Sequence, residues 1–460
     1  MLRRFRHLPV TTSHNEVFAA RPFDRTPPDI DLIPARPRAA LSWALGPHRL
    51  PTWVHAVLSE TRGMDTLKEE GKMKKTILAT AVLGSISLSA HAQSSVTLYG
   101  LIDAGISYVN NARAGTSHDN LVKYDDGVAS GSRWGLRGTE DLGGGLKALF
   151  VLENGFNSGT GAAGQGNSMF GRQAFVGLSQ NGVGSLTFGR QYSFSTDYLG
   201  GNYSTGGQTV AGNYAYHIND VDQLTSSRIN NAVKFSSANF SGFTFGALYG
   251  FSNQAGAFAG APATGTTAAP VAGSSRAYSF GVNYANGPFA AGAAYTDIRY
   301  PSQATTTQSS TSMANVTTGT IRDLRTFGVG GRYSIGAATM WALYTNTHFT
   351  PITGGSTTFA AYEAGAKYAF TPALTAGAGY TYMHLSGARA GHWNQADLSV
   401  DYALSKRTDV YGLGIYQIAS GRNGTQDVQA QIGSSTSFFG PSGPGADNQL
   451  AFRVGVRHRF

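Results

Sequence analysis

The 460-residue chain has no cysteine. That removes thiolate chemistry, cysteine-rich metal sites and disulfide staples. Charge is sparse, at 13% of residues. Beyond residue 92 no segment approaches the ~18 consecutive apolar residues of a transmembrane helix. His217, His348, His384 and His392 are scattered, without a second ligand at a useful spacing, so neither a metal centre nor any other cofactor is expected. Gly143-Gly-Gly lies between two strand-like runs with no helix after it, which argues against a phosphate-binding loop.

Glycine and aromatic rings are what the chain does have. Its 60 glycines in 460 residues are roughly twice the usual share. Together with 22 Tyr and 25 Phe they indicate short strands and tight turns. The net charge of +9 is unevenly placed: residues 1–92 hold 13 Lys/Arg and 8 Asp/Glu, which leaves 22 against 18, or +4, for residues 93–460. The basic character therefore owes much to the front of the chain, and no nucleic-acid partner is expected.

Residues 1–72 hold 8 of the 16 prolines and no sustained period. At Met73 the character changes to Met-Lys-Lys, an apolar Ile77–Ala90, and then Ala90-His91-Ala92 before Gln93. This is the layout of a Sec signal peptide: a basic start, an apolar stretch too short to span a membrane, and a small-residue cleavage site. The expectation is a non-native extension over 1–72 from a misassigned start, a signal peptide over 73–92, and a mature chain over 93–460.

From Val96 to Phe460 the pattern is alternation. In the last run, Leu450, Phe452, Val454, Val456, His458 and Phe460 share one face, and Arg453, Gly455, Arg457 and Arg459 share the other. Trp134 and Leu136 alternate with Arg133, Arg137, Thr139 and Asp141 in the same way. A period of two with one polar face fits half-buried strands. Sixteen such runs can be drawn, with short joins such as Asn181-Gly-Val-Gly alternating with long ones at 110–130, 193–226, 252–275, 300–322 and 419–447. Even strand number, short turns at one end and long loops at the other mark an outer-membrane barrel. In lipid every backbone polar group must pair internally, and closed barrels are the β solution.

Several stretches resemble the general diffusion porins of Gram-negative bacteria, in their β-proteobacterial form. They are Ser94-Ser-Val-Thr-Leu-Tyr-Gly-Leu-Ile-Asp, Ser132-Arg-Trp-Gly-Leu-Arg-Gly-Thr-Glu-Asp, Phe170-Gly-Arg-Gln-Ala-Phe-Val-Gly-Leu, Phe188-Gly-Arg-Gln-Tyr, Tyr402-Ala-Leu-Ser-Lys-Arg-Thr and the closing Val454-Gly-Val-Arg-His-Arg-Phe. The resemblance covers 93–460 and none of 1–72. It implies an all-β fold, a 16-stranded antiparallel transmembrane β-barrel with an inward-folded third loop, in the outer membrane. It also implies a homotrimer, contact with outer-membrane lipid and lipopolysaccharide, and recognition of the C-terminal Phe460 by the barrel-assembly machinery. Small hydrophilic solutes and ions would pass passively, without catalysis.

The matching third loop is 193–226, within a stretch that opens on Gly189-Arg-Gln-Tyr and closes on Arg228-Ile-Asn-Asn. So long a loop in a compact domain is usually functional or disordered, and its tyrosines, from Tyr192 to Tyr216, favour a folded one. By motif position the resemblance puts Arg133, Arg172 and Arg228 on the basic side of a pore constriction, with Arg190 and Arg137 nearby. The acidic side is drawn from Asp197, Asp220, Asp222 and Glu153. Alternation agrees, because Arg or Lys on the lipid face at the midplane costs about 2–4 kcal/mol. Arg and Lys rings favour anions, so an anion preference is expected. Lys147 and Lys234 read as wall or turn charges, and Tyr99, Trp134, Tyr249, Tyr295, Trp341, Tyr368, Tyr380 and Phe460 as candidates for interfacial girdles.

Three other readings make different predictions. A channel selective for one sugar or organic acid would show saturable block by that solute. An outer-membrane lipase barrel needs a serine nucleophile motif, which is not found. A secreted adhesin would stay soluble without detergent.

Overall fold

The alternating runs form antiparallel strands in a computed structural model that describes residues 95–251, 276–299, 310–313, 316–351, 355–423, 426–434 and 437–460. The extension expected over 1–72 and the leader expected over 73–92 lie outside the described residues. The strands are β1 (Ser95–Ala114), β2 (Arg133–Gly143), β3 (Leu146–Gly155), β4 (Gln173–Gln180), β5 (Gly184–Tyr192) and β6 (Arg228–Ser237). They continue as β7 (Phe243–Gly250), β8 (Arg276–Asn286), β9 (Phe289–Arg299), β10 (Val316–Ile335) and β11 (Ala338–Pro351). The last five are β12 (Thr357–Ala369), β13 (Leu374–Gly387), β14 (Gly391–Ala403), β15 (Thr408–Ser420) and β16 (Asn448–Arg459).

Each strand pairs antiparallel with the next, and β16 returns to β1 from Leu101↔Arg459 to Val109↔Ala451. The main sheet has 18 strands; the arms Ser117–Asp126 on β1 and Ser310–Met313 on β10 stand outside the ring, leaving sixteen. Reciprocal bonds between Gly100 and Phe460, 3.1 and 3.0 Å, finish the closure. A closed ring has no edge with unpaired N–H and C=O groups, which is what a hydrocarbon environment demands.

The join expected at 110–130 is largely strand. β1 runs on to Ala114, turns at Gly115 with φ +61°, and returns as the 117–126 arm. Glycine adopts that left-handed φ without steric penalty, so the ladder extends beyond the ring.

Each strand presents two unlike faces. Phe452, Val454 and Val456 are exposed apolar side chains, whereas Arg453 and Arg457 on the alternate positions are buried. Val96, Leu98, Ile102 and Ile106 on β1 are likewise exposed, opposite buried Asp103 and Ser107. The apolar face carries aromatic rows. Phe327, Tyr344, Tyr362 and Tyr382 run across four adjacent strands with ring centroids 4.9–6.4 Å apart. Phe243, Tyr284 and Phe289 form a second row near the short turns. Tyr295, Tyr368, Tyr380 and Phe460 are exposed as a girdle requires. Tyr99 and Trp341 are not girdle residues: each falls on the polar parity of its strand. Tyr99 donates to Glu153 at 2.9 Å, and buried Trp341 donates from Nε1 to Thr205 Oγ1 at 3.1 Å.

Residues 193–227, between β5 and β6, pack on the polar face and touch strands around most of the ring. Phe194 N donates to Ser279 Oγ on β8 at 2.9 Å, and Ser195 shares a 2.7 Å hydroxyl bond with Thr296 on β9. Thr205 and His217 bond Glu363 on β12, and Tyr214 OH donates to Ser107 Oγ on β1 at 2.8 Å. Wall glycines make room for the segment's rings. A Cβ at Gly246 would lie 2.2 Å from the Phe194 ring, and one at Gly330 would lie 2.6 Å from Tyr203 Cβ. Phe194, Leu199, Tyr203 and Ile218 are consequently buried against Ala290, Ala294 and Leu343. Residues 428–432 also lie on this face: Trp393 Nε1 donates to Gln429 O at 2.9 Å, and Val428, Ala430 and Ile432 are fully buried.

Candidate pore lining

A cavity of about 1020 Å³ lies along the polar face, bounded by the ends of β2, β5 and β6, by segment 193–227 and by β11 to β14. Arg133, Arg172 and Arg228 all line it, together with Tyr192, Asp197 and Tyr216. Arg133 opens β2, Arg172 directly precedes β4 and Arg228 opens β6, so alternation and strand ends aim all three at one volume.

Glu153 sits behind the arginines without lining the cavity. Its Oε1 accepts from Arg172 Nε at 2.7 Å, its Oε2 lies 3.9 Å from Arg133 Nε, and Tyr99 holds the carboxylate from below. The Tyr192 ring stands beneath two guanidinium groups, 4.9 Å from Arg228 and 6.0 Å from Arg172. Arg228 Nε is buried and has no partner among the described residues. These contacts fix the three cations in place while leaving them only partly neutralised.

The remaining expected residues separate. Asp197 lines the cavity, but Lys234 Nζ is paired with it and also donates to Tyr192 O at 2.8 Å. Lys234 is thus a buried wall charge, as read from the sequence. Arg190 does not line the cavity; it donates to Gly171 O at 2.8 Å and to Asn230. Arg137 is exposed lower on β2, with its guanidinium 5.1 Å from the Tyr99 ring centre. Asp220 and Asp222 do not face the cavity either. Asp220 is buried, accepts from Thr225 N at 3.1 Å and Thr225 Oγ1 at 2.8 Å, and burial raises its carboxyl to about 6.

Asp222 joins a fully buried cluster that fastens the segment to the barrel wall. His217 Nδ1 bonds Asp222, His217 Nε2 lies 2.9 Å from Glu363 Oε2, and Thr345 Oγ1 donates to Asp222 Oδ2 at 2.6 Å. Burial by itself favours neutral imidazole, but the flanking Asp222 and Glu363 carboxylates outweigh it and raise His217 to about 10. Nothing in the spacing of His217, Asp222 and Glu363 announces this cluster, because Glu363 comes from a distant strand.

Lys367, Arg457 and Asp401 line the cavity too, and sequence reading had not singled them out for it. All lie on polar-parity positions of strands already recognised, so alternation held the signal. Five cationic residues (Arg133, Arg172, Arg228, Lys367, Arg457) and three acidic ones (Asp126, Asp197, Asp401) form the lining, a surplus of two positive charges.

A closed sixteen-stranded barrel with an apolar outer face and a charged interior surface is a membrane channel, since barrels of this size leave an aqueous lumen. The Gram-negative porin family model matches residues 79–417. An outer membrane porin protein of Bordetella pertussis is 32% identical over 84% of this chain and its own full length. Outer membrane porin protein 32 of Delftia acidovorans is 31% identical with the same coverage of both chains. Among solved structures, an anion-selective porin from Comamonas acidovorans superposes with TM-score 0.61 and 25% identity, over 80% of this chain and all of that one. The trimer form of OmpT from Vibrio cholerae shares the fold, with TM-score 0.55 and 17% identity, over 80% of this chain and 99% of that one. The chain belongs to the Gram-negative porin family: it is an outer-membrane channel for passive diffusion, not an enzyme.

Proposed function

We propose that this porin prefers anions, and that residues 193–227 form an inward third loop narrowing its pore beside Arg133, Arg172 and Arg228. The convergence of these three arginines on one cavity, with the loop's own Asp197 paired to Lys234, carries the reading. Arg remains charged at any ordinary pH, and a ring of such groups lowers the barrier to anions. The likeness to a porin described as anion-selective supports the same sign. Glu153, Arg190 and Tyr192 hold the arginine side in position, whereas Asp220 and Asp222 hold the loop.

The working unit is a homotrimer in which each barrel has its own pore, seated in outer-membrane lipid and lipopolysaccharide. Phe460, exposed beside the seam, is the recognition element for the barrel-assembly machinery. A channel reserved for one sugar or organic acid is the second reading, favoured by Tyr192 and Tyr216 in the cavity lining.

Planar-bilayer recording of protein purified from outer membranes decides between these readings. Conductance in triplet steps with a chloride-favouring reversal potential under a KCl gradient is expected. A potassium-favouring potential would overturn the anion preference, and saturable sub-millimolar block by one neutral sugar would favour the second reading.

A further inference from the structure

A smaller cavity of about 180 Å³ adjoins the first and shares Gln208, Thr339 and Lys367 with it. It lies toward the short turns, bounded by Gly287 and Pro288 between β8 and β9, with Arg332, Ser334, Thr339 and Lys367 from β10, β11 and β12. Register puts these side chains on one face: Arg332 pairs with Trp341, Ser334 with Thr339, and Thr339 with Lys367.

Among the described residues, no carboxylate lines this cavity. Lys367 Nζ donates to Gln208 O at 2.9 Å and to Gln208 Oε1 at 3.2 Å, neither of them anionic. Arg332 makes no hydrogen bond or ion pair with the described residues. The Ser334 and Thr339 hydroxyls, 3.0 Å apart, complete a set dominated by donors. Two cations sharing a small polar volume without a counter-ion repel each other, and an oxyanion between them removes that repulsion. A guanidinium fork also matches an oxyanion geometrically, with parallel N–H bonds to two oxygens.

We infer that Arg332 and Lys367 form a second anion-binding site, beyond the arginine cluster on the short-turn side, that takes a carboxylate or phosphate group. The inference rests on the anion preference proposed above. Conduction needs binding strong enough to draw an ion in and further sites weak enough to pass it on. A half-exposed Arg–Lys pair next along the polar face supplies such a site.

The test is block of chloride current by inorganic phosphate, and separately by succinate, in wild type, Arg332→Gln, Arg332→Lys and Arg172→Ala. Arg332→Gln is expected to raise the half-blocking concentration about tenfold, equivalent to about 1.4 kcal/mol, while chloride remains preferred over potassium. Arg332→Lys keeps the charge and is expected to recover most of the block. An equal effect on both blockers supports a general oxyanion site, and an effect on only one assigns the site to that group. Wild type and Arg332→Gln agreeing within about twofold, or Arg332→Lys behaving like Arg332→Gln, would overturn the second site alone. Wild type without chloride preference overturns the anion reading and this site with it. Arg172→Ala separates the two levels, since it is expected to weaken chloride preference while phosphate block persists.

Discussion

Replacing His217 with glutamine keeps hydrogen-bonding capacity between Asp222 and Glu363 but removes the positive charge that both carboxylates surround. Asp222 Oδ1 already lacks a partner among the described residues, so the variant leaves buried negative charge uncompensated. Removing one member of a buried ion pair costs about 3–5 kcal/mol. Displacing the His217 pKa from 6.5 to about 10, at about 1.4 kcal/mol per unit, gives about 5 kcal/mol, the same order. A loss of that size at one anchor raises the population of a detached loop by about 10²–10⁴-fold. The readout is open-channel current noise and mean conductance at pH 7, both expected to rise in His217→Gln.

Wild type makes the same transition with pH. The folded-state pKa of His217 lies above its unfolded value, so its stabilisation is complete below about 6.5 and is lost as pH rises through about 10. Asp220, raised to about 6 chiefly by burial and then by Asp222, has the same sign. It contributes most below about pH 3.8 and loses that contribution as pH rises through 6, so mild acid does not release the loop. Asp397 and Tyr216 complete the ionisable groups around the cluster. Wild-type channels are therefore expected to stay quiet at pH 5 and become noisy near pH 10. Equal noise in wild type and His217→Gln at pH 7, or loosening of wild type on acidification, would refute the latch.

The arginine assignment predicts that Arg133→Ala, Arg172→Ala and Arg228→Ala each move the KCl reversal potential toward potassium; three unchanged values would remove the constriction from this place. Glu153→Gln takes away the carboxylate behind two of those arginines and is expected to move the potential toward chloride, so a shift the other way would contradict its placement. Gly330→Ala puts a Cβ 2.6 Å from Tyr203 Cβ, an overpacking that costs about 1–3 kcal/mol. Its barrels should migrate as folded protein on heat-modifiability gels yet conduct with more noise, and wild-type noise would mean the loop is not seated there. N-terminal sequencing of exported protein is expected to begin at Gln93, and a start within residues 1–72 would rule out the leader.

Strand number and face polarity were legible in the sequence because each barrel strand repeats one local rule. Phe452 and Arg453 differ by one position and so by one face, and no distant partner is needed to know which meets lipid. The same rule applied to Tyr99 and Trp341 turns both rings away from the membrane; reading aromatic residues by type and not by parity hid this. The wall arginines were legible from short motifs at strand starts. The loop's acidic residues were not, because Asp197, Asp220 and Asp222 have partners on β6, within the loop and on β11. Those contacts depend on where the chain folds back after Tyr192. Arg332 and Lys367 meet only through strand register, which alternation leaves open to shifts of two residues.

The seam at Gly100 and Phe460 makes the barrel, topologically, a loop of chain with an arbitrary cut. Because the two ends of the ring are hydrogen-bond partners, joining them through a short linker and opening a different turn would leave every one of the sixteen pairings intact. What such a permuted chain would lose is the order of emergence. Its final strand would no longer carry the terminal phenylalanine, and the ring would close at a different pair of strands. The pairings of the finished pore are thus indifferent to where the ring is cut, and the assembly role proposed for Phe460 is what such a permuted chain would put to the test.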